Sequence, residues 1–296
     1  MKILLLGKNG QLGWELQRSL ACLGELVALD RRSAPHRGDL SDLTALADTV
    51  RACRPDVIVN AAAYTAVDQA EGDEATARTI NALAPALLAR EAAALGALLV
   101  HFSTDYVFDG SGQRAWAESD VPAPLNVYGQ TKLEGEQAIQ AACPRHLIFR
   151  TSWVYAARGG NFAKTMLRLG QERERLTVID DQRGAPTGAD LLADVAAHCI
   201  RQVLQRPGDV GLYHLAASGE TSWFGYAKHV LAQALIARPA IEIVAKEVLA
   251  VPSSAFATAA ARPLNSRLDT RRLQAVFGLS LPPWQHGVDR LLAEIH

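Results

Sequence analysis

Short aliphatic runs recur through the first half of this chain, at residues 3–6, 26–29, 57–59, 98–102 and 146–149. Between them, residues 11–22, 43–53, 74–95 and 128–142 carry apolar side chains at helical spacing. Strands buried on both faces read as uniformly apolar, and the helices that cover them show an apolar stripe with a period near 3.6. Strand and helix in alternation make successive strands parallel, because each crossover helix returns the chain to the same end of the sheet. The expected fold is α/β, a Rossmann-type doubly wound parallel sheet.

After about residue 150 the alternation loosens and aromatics and prolines become more prominent. Residues 1–152 are expected to form a nucleotide-binding domain and residues 153–296 a smaller C-terminal substrate-binding lobe interleaved with it. The apolar runs near 176–179 and 211–215 are expected to return to the main sheet. Residues 218–223 look like the start of a helix and 262–265 like a loop.

Composition excludes several classes. The chain has 30 Lys plus Arg against 31 Asp plus Glu, a net charge of −1, so no global basic field gathers nucleic acid or an anionic membrane. No apolar run approaches the ~18 residues of a membrane span. The first residues lack the features of a secretory signal. Cys22, Cys53, Cys143 and Cys199 are dispersed, without zinc or redox spacing. These features lead to the expectation of a soluble cytoplasmic protein whose partners are small molecules.

The first aliphatic run passes into Gly7, Lys8, Asn9, Gly10, Gln11, Leu12 and Gly13, and an amphipathic stretch follows. Glycines let the backbone turn tightly and approach a pyrophosphate at a helix amino end, where unsatisfied N–H groups favour anions. The spacing is G-x-x-G-x-x-G. The second run ends at Asp30, suited to ribose hydroxyls as in NADH binding, and is followed by Arg31 and Arg32, suited to the 2′-phosphate of NADPH. Either cofactor, or both, fits. Asp39 and Leu40 are expected at the adenine edge, and Ala61, Ala62 and Ala63 offer small side chains beside the cofactor.

Tyr128 and Lys132 stand four residues apart on a predicted helix, hence on one face. A phenol titrates near 10 and relays protons poorly at neutral pH unless its anion is stabilised. The expectation is that the Lys132 ammonium depresses Tyr128 and also holds the nicotinamide ribose. Lowering the phenol by about 3 corresponds to roughly 4 kcal/mol of differential stabilisation. Ser103 and Thr104, at the end of the 98–102 run, supply hydroxyls for a substrate carbonyl, and Asp105 suits a sugar hydroxyl. Hydride transfer to a carbonyl is the reaction this set supports.

The glycine loop, residues 60–71 (NAAAYTAVDQAE), 103–110 (STDYVFDG), 128–132 (YGQTK), 150–155 (RTSWVY) and 181–187 (DQRGAPT) together resemble the extended short-chain dehydrogenase/reductases. Within them, the resemblance is to the dTDP-4-dehydrorhamnose reductase branch, over nearly the whole chain. It implies a catalytic set of Thr104, Tyr128 and Lys132, with Thr65, Val67, Asp105 and Trp153 facing the sugar of a nucleotide-sugar substrate. The implied reaction is reduction of the C4 ketone of dTDP-4-dehydro-beta-L-rhamnose, the last step of dTDP-rhamnose synthesis. Arg262 and Arg267 would suit the diphosphate. Other readings on the same fold are a nucleotide-sugar epimerase or dehydratase, or a non-catalytic regulatory relative. The single Asp105 after Thr104 argues against dehydration, and retention of Tyr128 and Lys132 against loss of catalysis. Some similar proteins are homodimers bridged by Mg2+; Glu15 and Asp190 occupy the positions of two such carboxylates, Asp190 being shorter than the glutamate expected there.

Overall fold

The computed structural model describes residues 1–295. Six parallel strands form the central sheet: β1 (Lys2–Leu6), β2 (Glu25–Leu29), β3 (Val57–Asn60), β4 (Leu98–Thr104), β5 (His146–Thr151) and, from the second half, β7 (Gly211–His214), in the order β7-β5-β4-β3-β1-β2. The order reverses between β1 and β3, so a crevice opens at their carboxyl ends, where doubly wound sheets bind ligands.

Each strand sends alternate side chains into two cores. Ile3, Leu5, Val57, Val59, Leu98 and Val100 pack on one face with α1 (Gln11–Leu20) and α6 (Ala189–Gln205). Leu4, Leu6, Ile58 and Leu99 pack on the other with α2 (Leu43–Cys53) and α3 (Ala84–Leu95). The helix carrying the tyrosine and lysine, α4 (Val127–Ala142), packs on this second face through Ile139. All seven residues of β4 are buried, as a strand covered on both faces requires, including the polar His101, Ser103 and Thr104.

The 74–95 stretch is helical but not regular: Glu74–Arg78 is α, Thr79–Leu83 is a π turn, and α3 follows. Pro85 has no N–H to offer the carbonyl of Asn81, so the ladder is interrupted there. That carbonyl lies where a Cβ on Gly135 would stand, 2.2 Å away, which lets α4 approach closely. The Asn81 side chain accepts the Tyr64 N–H and donates to Thr131 on α4.

One sequence expectation is corrected. The run 176–179 does not join the central sheet; as β6 (Arg175–Ile179) it pairs in parallel with β8 (Glu247–Val251). Its burial alternates, Leu176 and Val178 inward against exposed Arg175 and Thr177. A strand with one wet face has no place in a sheet covered on both sides. Strands β6 and β8 belong to a second lobe, whose core joins α5 (Phe162–Glu172), α7 (Trp223–Ala237) and α8 (Trp284–Glu294) around Tyr155, Tyr226 and Trp284. Ser222 caps α7 by accepting the Gly225 N–H at 3.0 Å. No described helix is long and apolar enough to cross a membrane.

Candidate active site

Two connected cavities occupy the crevice. The larger, about 810 Å³, is bordered by Gly7, Gly10, Gln11, Leu12, Ala61, Ala62, Ala63, Thr65, Val67, Thr104, Asp105, Tyr128, Lys132 and Trp153. The second, about 610 Å³, is bordered by Asn9, Asp30, Arg31, Asp39 and Leu40 and shares Gly7, Gly10, Ala62 and Ala63 with the first. Residues as far apart in the chain as Gly7 and Trp223 thus line one continuous cleft.

The glycine turn is shaped by contacts that no side chain would permit. Gly7 has φ +89°, and a Cβ there would lie 2.9 Å from the Ala62 nitrogen. Gly13 borders neither cavity; a Cβ on it would meet the Gly7 carbonyl oxygen at 2.0 Å, so its role is to let α1 close against the turn. No side chain caps the amino end of α1, and its first turn has no acidic residue. Free N–H groups there suit a pyrophosphate.

In the second cavity, Asp30 is tied down by its own loop. It accepts from the Arg32 N–H at 2.8 Å, the Ser33 hydroxyl at 3.0 Å and the Asn9 amide. The Arg32 N–H first, then the Ser33 hydroxyl and the charge of Lys8, hold it below the usual carboxylate range. Asp39 accepts from Ser41, and the cap of α2 is Asp42, bonded to the Ala45 N–H.

At the other end, Asn126 caps α4 through the Gly129 N–H at 2.8 Å, fixing the turn that presents Tyr128. The Tyr106 ring stands edge-on to Tyr128 at 5.6 Å. Burial pushes the phenol up to about 12, and the nearby Thr104 hydroxyl pulls it back. The expected depression by Lys132 is absent, for a geometric reason. The Lys132 Nζ donates to the Phe102 carbonyl at 2.6 Å and lies 3.1 Å from His101 Nε2, so it is engaged inside the sheet. Burial lowers Lys132 to about 8, with Glu136 opposing.

Asp105 is pushed up to about 7 by burial, against the nearby hydroxyls of Ser266 and Thr104. Its Oδ2, the Ser103 Oγ and the Thr151 Oγ1 are buried without a hydrogen-bond partner among the described residues, and all three residues border the cleft. Unsatisfied buried polar atoms in a cavity mark where ligand groups belong. Trp153 has φ +49°, which is uncommon for a side chain of this size. Its indole stacks on Trp223 at 3.7 Å, and the Trp223 Nε1 donates to Gln182 at 3.0 Å.

Other expected residues lie elsewhere. Arg262 pairs with Asp68 at 2.6 Å and Arg267 with Glu220 at 3.2 Å, and neither borders the cleft. Glu15 faces Arg18 at 3.6 Å and Asp190 faces Arg290 at 3.7 Å. No three metal-binding side chains converge among the described residues, so the Mg2+ expectation finds no ligand set. Sequence reading missed Tyr106, Thr151 and Gly160 on the cleft wall. Nothing in the sequence marks Gly160, whose carbonyl accepts from Gln11 at 2.9 Å and ties the second lobe to the glycine turn.

The RmlD substrate binding domain pattern matches residues 1–296. The chain belongs to the RmlD family. It is 56% identical to the dTDP-4-dehydrorhamnose reductase of Escherichia coli K12 over 295 residues, covering 100% of this chain and 98% of that one. It is 44% identical to the Burkholderia thailandensis protein of the same name, over 97% of each. Among solved structures, the Clostridium acetobutylicum dTDP-4-dehydrorhamnose reductase superposes with a TM-score of 0.89 at 34% identity, covering 99% of this chain and 98% of that one. The Bacillus anthracis enzyme, solved in complex with NADP, gives 0.87 at 35% identity over 99% of each chain.

Proposed function

We propose that this RmlD family member reduces the C4 ketone of dTDP-4-dehydro-beta-L-rhamnose to dTDP-beta-L-rhamnose with NADPH or NADH. The observation that carries this reading is that Tyr128, Lys132 and Thr104 border the same cleft as the glycine turn. The names of the relatives identify the sugar.

The first-turn N–H groups of α1 with Gly7 and Gly10 hold the pyrophosphate, Asp30 and Leu40 border the adenosine, and Ala61 to Ala63 line the path to the nicotinamide. A bound reduced nicotinamide supplies the hydride for C4. Tyr128, held protonated at neutral pH, donates to the carbonyl oxygen, since a developing alkoxide is a stronger base than a phenolate. Thr104 hydrogen-bonds that oxygen, and the charge of Lys132 stabilises the phenolate left behind. Thr65, Val67, Asp105 and Trp153 hold the deoxysugar.

Arg31 and Arg32 border the adenosine cavity and have no ion-pair partner among the described residues, whereas Asp30 is already bonded. That arrangement suits the 2′-phosphate of NADPH without excluding NADH. A cytoplasmic homodimer completes the reading, and sedimentation tests it. The function is tested by mixing purified protein with the ketosugar and following reduced nicotinamide by absorbance. Stoichiometric oxidation is expected; turnover of the sugar with no net oxidation would replace reduction by epimerisation.

A further inference from the structure

Lys132 ends in a chain of three buried side chains. Asn60, His101 and Lys132 are each 1% exposed. The Asn60 amide nitrogen lies 3.2 Å from His101 Nδ1, His101 Nε2 lies 3.1 Å from Lys132 Nζ, and Nζ donates to the Phe102 carbonyl at 2.6 Å.

The proton positions follow from Asn60. Its Oδ1 accepts the Ala62 N–H at 3.2 Å, so its NH2 is the group that faces His101; the reversed amide would set two donors together. His101 Nδ1 therefore accepts. A neutral imidazole with bare Nδ1 carries its proton on Nε2. The doubly protonated ring is excluded by the same contact, and burial holds His101 well below its ordinary value. An Nε2–H facing an ammonium opposes donor to donor. Facing an amine, it donates to a lone pair, and the amine keeps an N–H for the Phe102 carbonyl.

We propose that His101 is a positioning residue that holds Lys132 as a neutral amine in the cofactor-free protein at mildly alkaline pH, and that Lys132 there takes up one proton from solvent when a nicotinamide nucleotide binds. The proposal rests on the nicotinamide site assigned above. Ribose hydroxyls offer an ammonium the acceptors that His101 withholds, and a buried ammonium whose one acceptor is the Phe102 carbonyl is costly. The balance is simple: one N–H bond forms at Nζ and the site gains one positive charge.

The other titratable groups around Lys132 do not supply that proton. On its own helix stand Tyr128 and Glu136, and the Glu136 carboxylate is bonded to Arg150 of β5. After β4 comes Asp105, beside Thr104. The segments packed outside α4 bring charges that are already paired, Arg78 with Glu134 and Glu91 with Arg51, while Glu71 accepts the Val127 N–H and the π turn contributes the neutral Asn81.

The test is calorimetry of NADH binding at pH 8.5 in two buffers of different ionisation enthalpy, NADH avoiding titration of a 2′-phosphate. Wild-type protein is expected to take up more than about half a proton per site. Lys132→Met should abolish the uptake, and His101→Gln should reduce it at least twofold, because the glutamine carbonyl accepts from an ammonium before any cofactor arrives. Binding without proton uptake, or equal uptake in wild type and His101→Gln, overturns the proposal and leaves the cofactor site standing. Failure of NADH and NADPH to bind at all overturns the cofactor site instead. Nitrogen NMR of the cofactor-free wild type gives an answer that needs no variant: His101 protonated at Nε2 is expected, and protonation at Nδ1 overturns the assignment.

Discussion

Glu136, one helical turn beyond Lys132, accepts hydrogen bonds from Arg150 at 2.6, 2.9 and 3.1 Å, with the two side chains 1% and 4% exposed. The pair fastens α4 to β5, and the Arg150 guanidinium also lies 5.0 Å over the Phe108 ring. Three segments that each present a group to the cleft, through Lys132, Trp153 and Thr104, are thereby held in one geometry.

Removing one partner leaves the other charge buried and unpaired. Glu136→Gln is expected to cost about 3–5 kcal/mol of stability, read from urea unfolding. Replacing Glu136 and Arg150 together by Leu and Met should recover much of that loss. If Glu136→Gln unfolds at the wild-type midpoint, the pair has no structural role.

Tyr128→Phe deletes the proton donor while keeping the ring against Tyr106. A fall in kcat of about 100-fold to 10,000-fold is expected, with the dissociation constant for NADPH changed less than about threefold. Near-normal turnover would remove Tyr128 from the mechanism.

The sheet and its glycine turn were legible because their signals are local. Residues 3–6 are apolar throughout and 98–102 are apolar apart from His101, as strands covered on both faces read, and the turn beginning at Gly7 lies directly after one of them. Residues 211–215 sent a strand to the sheet edge, whereas 176–179 did not, since Arg175 and Thr177 mark a half-wet strand that the apolar core of the run obscured. The site was legible wherever spacing carries the geometry, as for Tyr128 and Lys132 on one helix face. It was illegible where geometry depends on distant partners. Sequence distance hides that Trp223 stacks on Trp153, that Gly160 meets Gln11, and that the Phe102 carbonyl and His101 engage Lys132 in the cofactor-free protein.

Asp105 gives the protein a pH dependence of unusual sign. Its folded-state value is about 7 against an ordinary 3.8, so between pH 4 and pH 7, roughly, the folded chain binds a proton that the unfolded chain does not. This group's contribution therefore favours folding increasingly as pH falls from about 7 to about 4 and disfavours it above 7. Asp105→Asn should be more stable than wild type at pH 8, by an amount on the order of 1–3 kcal/mol, with the difference shrinking toward pH 4. Parallel stability curves for the two proteins would contradict the assignment.

Gly7→Ala combines a positive φ with a backbone collision at Ala62. A loss of about 1–3 kcal/mol in stability is expected from the strained backbone, together with at least tenfold weaker NADPH binding. Fluorescence titration reads the second effect; unchanged affinity would show that the turn does not cradle the pyrophosphate.

Trp153 separates side-chain from backbone effects because its φ of +49° is one that glycine adopts freely. Trp153→Ala and Trp153→Gly both remove the indole that stacks on Trp223. Each is expected to lower kcat/KM for the nucleotide sugar by about tenfold or more, in line with roughly 1–2 kcal/mol of aromatic contact. Stability should divide them. The glycine variant is relieved of backbone strain, so it should match or exceed the alanine variant despite glycine's greater unfolded-state freedom, which elsewhere favours alanine by about 0.4–1 kcal/mol. Thermal melts of the two proteins decide the point: alanine clearly more stable than glycine would mean that position 153 carries no strain and that the indole alone accounts for the residue's effect on the cleft.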